Sequence, residues 1–533
     1  MKQLGVLACV ISVLVVGLIV GCAPAPPPEA PAEEATPEET VAEEVTTPEE
    51  AQPWKGKTIT ILVIAEGPEA GISGPFYHFR DEWQNMTGAK LEIAEFPFGE
   101  LHTKIFTDLT TGAGQYDIFV IGTWEYGDLI ASNGIIPTDQ YYDDPRFPKW
   151  PKDLPPSVES LYTWEGKWYG VPNDSDGQVL YYRKDILTDP KWQEEFKRAK
   201  GYDLPVPPET WDQLYDITSF FNGKDWNGDG ESDSGIAMHL KVGGQGMFHF
   251  MSLSAPFVTL PGPKVDNVHN TYWFDFETME PIINEPGHVR ALEFLQKLAK
   301  TGPEAQLGWT LGEAWDYFLR GKAVVTFSWG DVGALAQDPE RSQIKGKLGV
   351  SILPGVYEVY DRGAKKFVEL EQPNVVGNTT GGTWHGVISS LSKNPDLAYH
   401  LLAFHATVEK SRYYAYQGWE GVDIGRKNQF IEPYGDNTLD GFLEAGWNEN
   451  DILEYNKAYY DNFYAKTTLP YLRIPGSFEY WTALDQALSR AMIGELSAKE
   501  ALDRAAEDFR NITERLGKEK QLQVYRHSFG YEK

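Results

Sequence analysis

Between residues 58 and 121 the chain switches repeatedly from a short apolar run to a stretch with apolar residues three and four apart, and few folds accommodate that alternation. TITILVIA (Thr58 to Ala65) reads as a strand. Phe76, Phe79, Trp83 and Met86 then fall on one helical stripe that Gly88 stops. A second strand (Lys90 to Phe96), a helix carrying Leu101, Ile105 and Leu109, and a third strand YDIFVI (Tyr116 to Ile121) continue the series. Strands joined through helices imply an α/β architecture, a mostly parallel sheet with helices on its faces. Later helices are marked by their caps: Thr210 with Gln213, Asn394 with Pro395 just inside, and Ser497 with Glu500. A C-terminal helix carries Leu502, Ala505, Ala506, Phe509, Ile512 and Leu516 on one stripe and stops at Gly517.

What precedes this body reads as an address. Lys2 and an apolar run from Leu4 to Val20 form an export signal, too early and too weakly flanked for a spanning helix. The run closes on Ile19, Val20, Gly21 and Cys22, which resembles a lipobox, so residues 1–22 are expected to be a lipoprotein signal peptide and Cys22 the lipidated residue. Residues 23–53 hold Pro, Ala, Thr and nine Glu, without a large apolar residue. Such a segment buries too little surface to offset its ordering entropy, and is expected to be a disordered tether reaching between ~30 and ~100 Å. Those glutamates and Lys2 account for −8 of the net charge of −31, which leaves −23 on residues 54–533. That balance argues against nucleic acid and against a basic membrane-docking face. The body has no cysteine, so its fold rests on its cores.

No HExxH, GxSxG, P-loop or CxxC pattern occurs, and the glycines of TTGAGQYD (Thr110 to Asp117) do not continue into a dinucleotide fingerprint. DWNGDGESD places Asp225, Asn227, Asp229 and Asp233 at positions 1, 3, 5 and 9 of a calcium-type loop, with Gly230 at the sharp turn and the Glu231 carbonyl at position 7. Position 12 is Ile236, so a further ligand must come from elsewhere. The spacing fits a structural calcium that stiffens a long loop; an acidic turn without metal is the alternative. No cofactor is required by any other pattern.

A series of segments in order resembles the extracellular solute-binding proteins of the family 1, maltodextrin-binding-like type that feed ABC importers. They are DIFVIGTWEYGDLIASNGIIP, WEGKWYGVPNDSDGQVLYYRKDIL (Trp164 to Leu187), PPETWDQL (Pro207 to Leu214), FLRGKAVVTFSWGD (Phe318 to Asp331), ISSLSKNPDLAYHLLAFHAT (Ile388 to Thr407) and RIPGSFEYW (Arg473 to Trp481). The resemblance implies a two-lobed periplasmic-binding-protein-like fold of type II. Each lobe is a mostly parallel sheet flanked by helices, and ligand is held between lobes that close about a hinge. Matching segments assign 54–171 with 380–412 to lobe 1 and 172–379 with 413–533 to lobe 2. The implied partners are a small carbohydrate ligand and ABC permease subunits, with the membrane reached through the lipid anchor and the protein acting as a monomer. Another solute (a peptide, polyamine or polyol phosphate) and a glycan-active lipoprotein enzyme are the competing readings.

Sugars present CH-rich faces and a ring of hydroxyls, so a site needs aromatic platforms and planar polar groups. Phe, Tyr and Trp make up 13% of the chain, but most of those rings, including Phe79, Trp83 and Trp211, sit at helical spacing and are expected in cores. Position in a loop at a strand's carboxyl end is the better filter. It selects Glu66, Trp124, Glu125, Asp174 and Asp176 at the hinge crossing, Trp329, Asp331, Trp384 and, more weakly, Trp419 and Arg473. Gly381 and Gly382 would let a ligand approach the backbone. His78, His102 and His249 are expected at the surface or in packing.

Overall fold

In the computed structural model the described residues are 52–65, 71–419 and 421–531. The expected signal peptide, Cys22, nearly all of the tether, and Glu66 lie outside them. Two larger sheets draw on β1 (Thr58–Ile64), β2 (Lys90–Phe96), β3 (Ile118–Ile121), β4 (Ile135–Ile136), β5 (Val171–Pro172), β6 (Val179–Arg183), β7 (Ser234–Ala237), β8 (Ala323–Ser328), β9 (Leu348–Ser351) and β10 (His385–Ser389). The first sheet has the order β2-β1-β3-β10-β4 with β5 also on β10, and the second the order β9-β6-β8-β7.

Both sheets are mixed, which corrects the expectation of mostly parallel ones. β1 pairs in parallel with β2 and β3, as the βαβ alternation requires, with Ile61 opposite both Ile93 and Ile118. β10, however, returns from the second lobe and runs antiparallel to β3, β4 and β5. In the second sheet only β7 and β8 are parallel. A strand that arrives by a lobe crossing is not bound to the direction that a right-handed helical crossover imposes. β3 and β8 are buried along their whole length, as continuous apolar strands covered on both faces must be.

The helices that position the site are α1 (Phe98–Thr111), α2 (Tyr126–Ala131), α3 (Met247–Val258), α4 (Leu311–Leu319), α5 (Ser477–Met492) and α6 (Ala498–Leu516). Ser497 and Glu500 form a reciprocal capping box on α6, and Thr210 accepts a bond from the Gln213 N–H at the start of Trp211–Phe221. Leu502, Ala505, Ala506 and Phe509 are buried on the expected stripe of α6. Gly517, at φ 91°, ends it, but a further helix, Lys518–Ser528, follows. The stripe of Phe76 to Met86 is split into two helices, Gly74–His78 and Arg80–Thr87, and leaves Met86 exposed. The bend at Phe79 brings both Phe76 and Phe79 against the His405 ring. α5 packs on α3 and also on the Thr123–Glu125 turn, where its Trp481 ring meets Trp124, so it touches elements on both sides of the cleft. Among the described residues no helix is long and apolar enough to cross a membrane.

Candidate functional site

β8 delivers Trp329 and Asp331 from the second lobe, and the loop before β10 delivers Gly381, Gly382 and Trp384 from the first. Trp329 is held from three sides. Its indole N–H donates to the Thr380 carbonyl (2.5 Å), the Tyr181 hydroxyl donates to the Trp329 carbonyl (2.9 Å), and the indole stacks on His239 with centroids 5.3 Å apart. Gly381 sits at φ 107°, and a Cβ there would lie 2.5 Å from Trp329 Nε1 and 2.6 Å from Asp176 Cγ. At Gly382, φ 82°, a Cβ would meet the Trp124 ring at 2.6 Å. Protein side chains pack closely on both glycines, and Gly381 also lines the cavity where the sequence suggested a ligand could approach the backbone.

Asp176, Trp329, Asp331 and Trp384 come together around one interlobe cavity, with Ile72, Gln245, Leu311, Trp315, Gly381 and Gly421 also in its walls. Its volume of about 20 Å³ is room for one water. A second cavity, of about 150 Å³ and lined by Phe98, Val242, Phe478 and Trp481 among others, shares Gln245 with it. Larger cavities of about 720 and 460 Å³ lie elsewhere, on the second lobe beside Tyr215 and Lys297 and at the seam beside Arg473. Volume therefore points away from the strand ends, and chemistry toward them; the interlobe cavity is where aromatic faces and carboxylates converge beyond the carboxyl ends of strands.

Beside it the segments that carry Asp174, Trp384 and Asp423 cross. The Asp174 backbone N–H donates to the Trp384 carbonyl (2.9 Å), and the Asp174 carboxylate accepts the Asp423 N–H (2.6 Å). The Asp423 carboxylate in turn accepts the Gly330 N–H and the Tyr459 hydroxyl, each at 2.7 Å. Burial, and then the charges of Asp176 and Asp423, hold the Asp174 carboxyl well above the usual carboxylate range. Burial pushes Asp423 up to about 7. Asp174 is thus a strut between crossing segments, not part of the cavity wall.

The profile of the bacterial extracellular solute-binding protein family matches residues 79–421. This chain belongs to that family. Among similar proteins, the mannitol-binding protein of Pseudomonas aeruginosa is 27% identical over 272 residues, covering 50% of this chain and 53% of the relative. The sn-glycerol-3-phosphate-binding periplasmic protein UgpB of Pectobacterium atrosepticum is 24% identical, with 62% and 70% covered. The matched part spans little more than half the length of the first of these relatives. In fold, a ribitol complex of a solute-binding protein from Agrobacterium radiobacter superposes with a TM-score of 0.63 at 18% identity, covering 86% of this chain and all of that one. Maltose-bound MalE3 of T. maritima gives 0.61 at 20%, covering 85% and 99%. Both likenesses show the two-lobed type II fold.

In this solute-binding protein the remaining expected residues fall around the cavity rather than in it. Trp124 stands edge-on behind Trp384, with centroids 5.3 Å apart, and donates its indole N–H to Glu125 (3.0 Å). Glu125 also meets His102 Nδ1 at 2.8 Å, and the His102 ring stacks on Phe478 in the first turn of α5. His102 therefore does more than pack: burial lowers its pKa, but the hydrogen bond to Glu125 and the charges of Glu125, Asp128 and Glu479 together leave it raised. Nearby, both Asp128 oxygens accept the Gly476 N–H that precedes α5, and burial pushes that carboxyl up to about 6. Trp419, at φ 41°, packs among His78, Tyr413 and Tyr414 and does not line the cavity. Arg473 donates to the Ser160 and Thr163 carbonyls and is seam packing. His249 is buried against His239 beneath Trp329, and His78 stacks on Tyr413.

In the acidic loop, Asp225 and Asn227 accept backbone N–H groups, and Asn227 donates to Asp233 (2.8 Å). Lys322 supplies a positive charge there, 2.5 Å from Asp229, 2.8 Å from Glu231 and 3.9 Å from Asp233. Among the described residues no group of three or more His, Cys, Asp or Glu is arranged to hold a metal ion. Sequence reasoning passed over Trp315, Gln245 and Ile72. Trp315 was the findable one, since the Thr310 and Glu313 capping box marks the start of α4. The other two reach the cavity only through long-range packing.

Proposed function

We propose that this protein is the ligand-capturing receptor of an ABC importer and that it closes its two lobes on a sugar or polyol. The observation that carries the reading is the interlobe cavity itself. The indoles of Trp315, Trp329 and Trp384 offer stacking faces, while Asp176, Asp331 and Gln245 offer planar groups for hydroxyls. A cavity of about 20 Å³ is far below the ~300 Å³ or more of small-molecule sites, so entry of a sugar requires the lobes to part about the Asp174–Asp423 hinge. The family consists of binding proteins, which favours a receptor over a glycan-active enzyme. Relatives bind mannitol and glycerol phosphate; the absence of Lys and Arg from the described cavity walls favours the uncharged polyol over the phosphate. Lipidation at Cys22 and a monomeric receptor on an acidic tether complete the proposal.

The test is a thermal-shift panel of monosaccharides, oligosaccharides and polyols against the purified protein. A ligand at one hundred times its Kd is expected to add ~2.7 kcal/mol of stability and to raise the melting temperature accordingly. A panel without any shift, repeated with calcium present, would rule out the carbohydrate class. Release of product from a polysaccharide by the protein alone would favour the enzyme instead.

A further inference from the structure

The cavity of about 460 Å³ beside Arg473 departs from the charge of the molecule around it. In a chain of net charge −31, its described walls contain no Asp or Glu but two cations, Lys466 and Arg473. Arg473 is the telling one. Four basic side chains are buried among the described residues, and three of them meet a carboxylate: Arg183 lies 2.6 Å from Asp185, Lys410 2.8 Å from Glu82 and Arg426 2.9 Å from Asp153. Arg473 donates instead to the backbone carbonyls of Ser160 (2.7 Å), Thr163 (3.0 Å) and Ser528 (3.3 Å), and no carboxylate among the described residues pairs with it. Burial pulls its pKa down to about 10 while Tyr126 acts the other way, so the guanidinium stays charged near pH 7. A buried charge without a counter-charge is costly, and the three carbonyls leave part of the five-donor fork unused.

The same walls hold other donors in reserve. Ser157, Ser160 and Ser528 spend their hydroxyls on backbone carbonyls, whereas those of Thr379, Thr467 and Thr468 bond to none of the described residues. Thr379 and Thr467 are nonetheless buried. Gly377 donates to the Thr467 carbonyl (2.9 Å) and accepts the Leu469 N–H (2.8 Å), which fixes the segments carrying all three threonines side by side. Two cations and three hydroxyls offer more donors than the ~4 lone-pair sites of a carboxylate can use, and suit a tetrahedral anion with more oxygens. We propose that this cavity binds a phosphate-class oxyanion, held by Arg473, Lys466 and the hydroxyls of Thr379, Thr467 and Thr468. It shares no wall residue with the interlobe cavity and does not depend on what that cavity holds.

Isothermal titration near pH 7, in a chloride buffer of constant ionic strength, tests this with inorganic phosphate, sulfate, methyl phosphate and acetate. Phosphate or sulfate is expected to saturate a single site and to bind more tightly than acetate. Lys466→Met, at an exposed position, should weaken binding about tenfold, and Thr467→Val, which keeps the side chain's shape, about fivefold. Lys393→Met, an exposed lysine outside these walls, should change nothing. Arg473 stays in place throughout because it also satisfies three carbonyls. Tighter binding of inorganic phosphate than of methyl phosphate makes the occupant the free ion and the reverse makes it a phosphate ester; both uphold the site. No saturable binding of any of the three oxyanions at millimolar concentration, equal affinity for acetate, or an affinity that survives both substitutions overturns the inference, and none of these results bears on sugar binding between the lobes.

Discussion

Replacing Gly381 by alanine sets a methyl group 2.5 Å from Trp329 Nε1 and 2.6 Å from Asp176 Cγ, on a backbone at φ 107°. Two costs add. An L-residue in a positive-φ conformation costs about 1–2 kcal/mol, and overpacking a well-filled interior costs about 1–3 kcal/mol. The sum is about 2–5 kcal/mol. With an unfolding entropy of about 2.1 cal/mol/K per residue, roughly 480 residues give about 1 kcal/mol/K, so the melting temperature should fall by about 2–5 °C. Gly446→Ala is the control, because Gly446 has a similar φ of 95° but no atom within 4 Å of the added Cβ. It should cost only the conformational part, about 1–2 kcal/mol and about 1–2 °C. Differential scanning calorimetry measures both, and titration with a sugar identified in the panel should show weakened binding in Gly381→Ala alone. Equal losses in the two variants would refute the reasoning, since Trp329 and Asp176 would then yield to the methyl group at no cost.

Three further outcomes follow from the same contacts. Asp128 has its carboxyl raised from 3.8 to about 6 by burial, so the folded state holds a proton more tightly than the unfolded chain, and its share of stability is lost as pH rises from about 4 to about 6. Urea unfolding across that window should show a fall of about 3 kcal/mol that Asp128→Asn removes; the same slope in both proteins would assign the effect elsewhere. Lys322→Met takes the ammonium away from Asp229, Glu231 and Asp233, so millimolar calcium should raise the variant's melting temperature more than it raises the parent's. An identical rise would show that the lysine does not compete for those oxygens. Cys22→Ser should release a soluble protein with unchanged affinity, measured on the culture or periplasmic fraction; loss of binding would tie the anchor to the receptor's fold.

What the sequence determined by itself is local. β1, β2 and the α6 capping box are legible because alternation, helical spacing and caps act over a few residues. Trp329, Asp331, Asp176 and Trp384 could be selected because strand ends are readable and ligands gather beyond them. The tertiary structure decided everything that depends on a crossing. β10 runs against its neighbours because it arrives from the other lobe. Trp124 and Glu125 stand behind the wall because Trp384 is in front of them. Gly381 makes room for an indole because β8 and the loop before β10 meet there, although 52 residues separate Trp329 from Gly381 in the chain. Packing between segments so far apart leaves no periodic trace in either one, so it is settled only when both lobes are folded against each other.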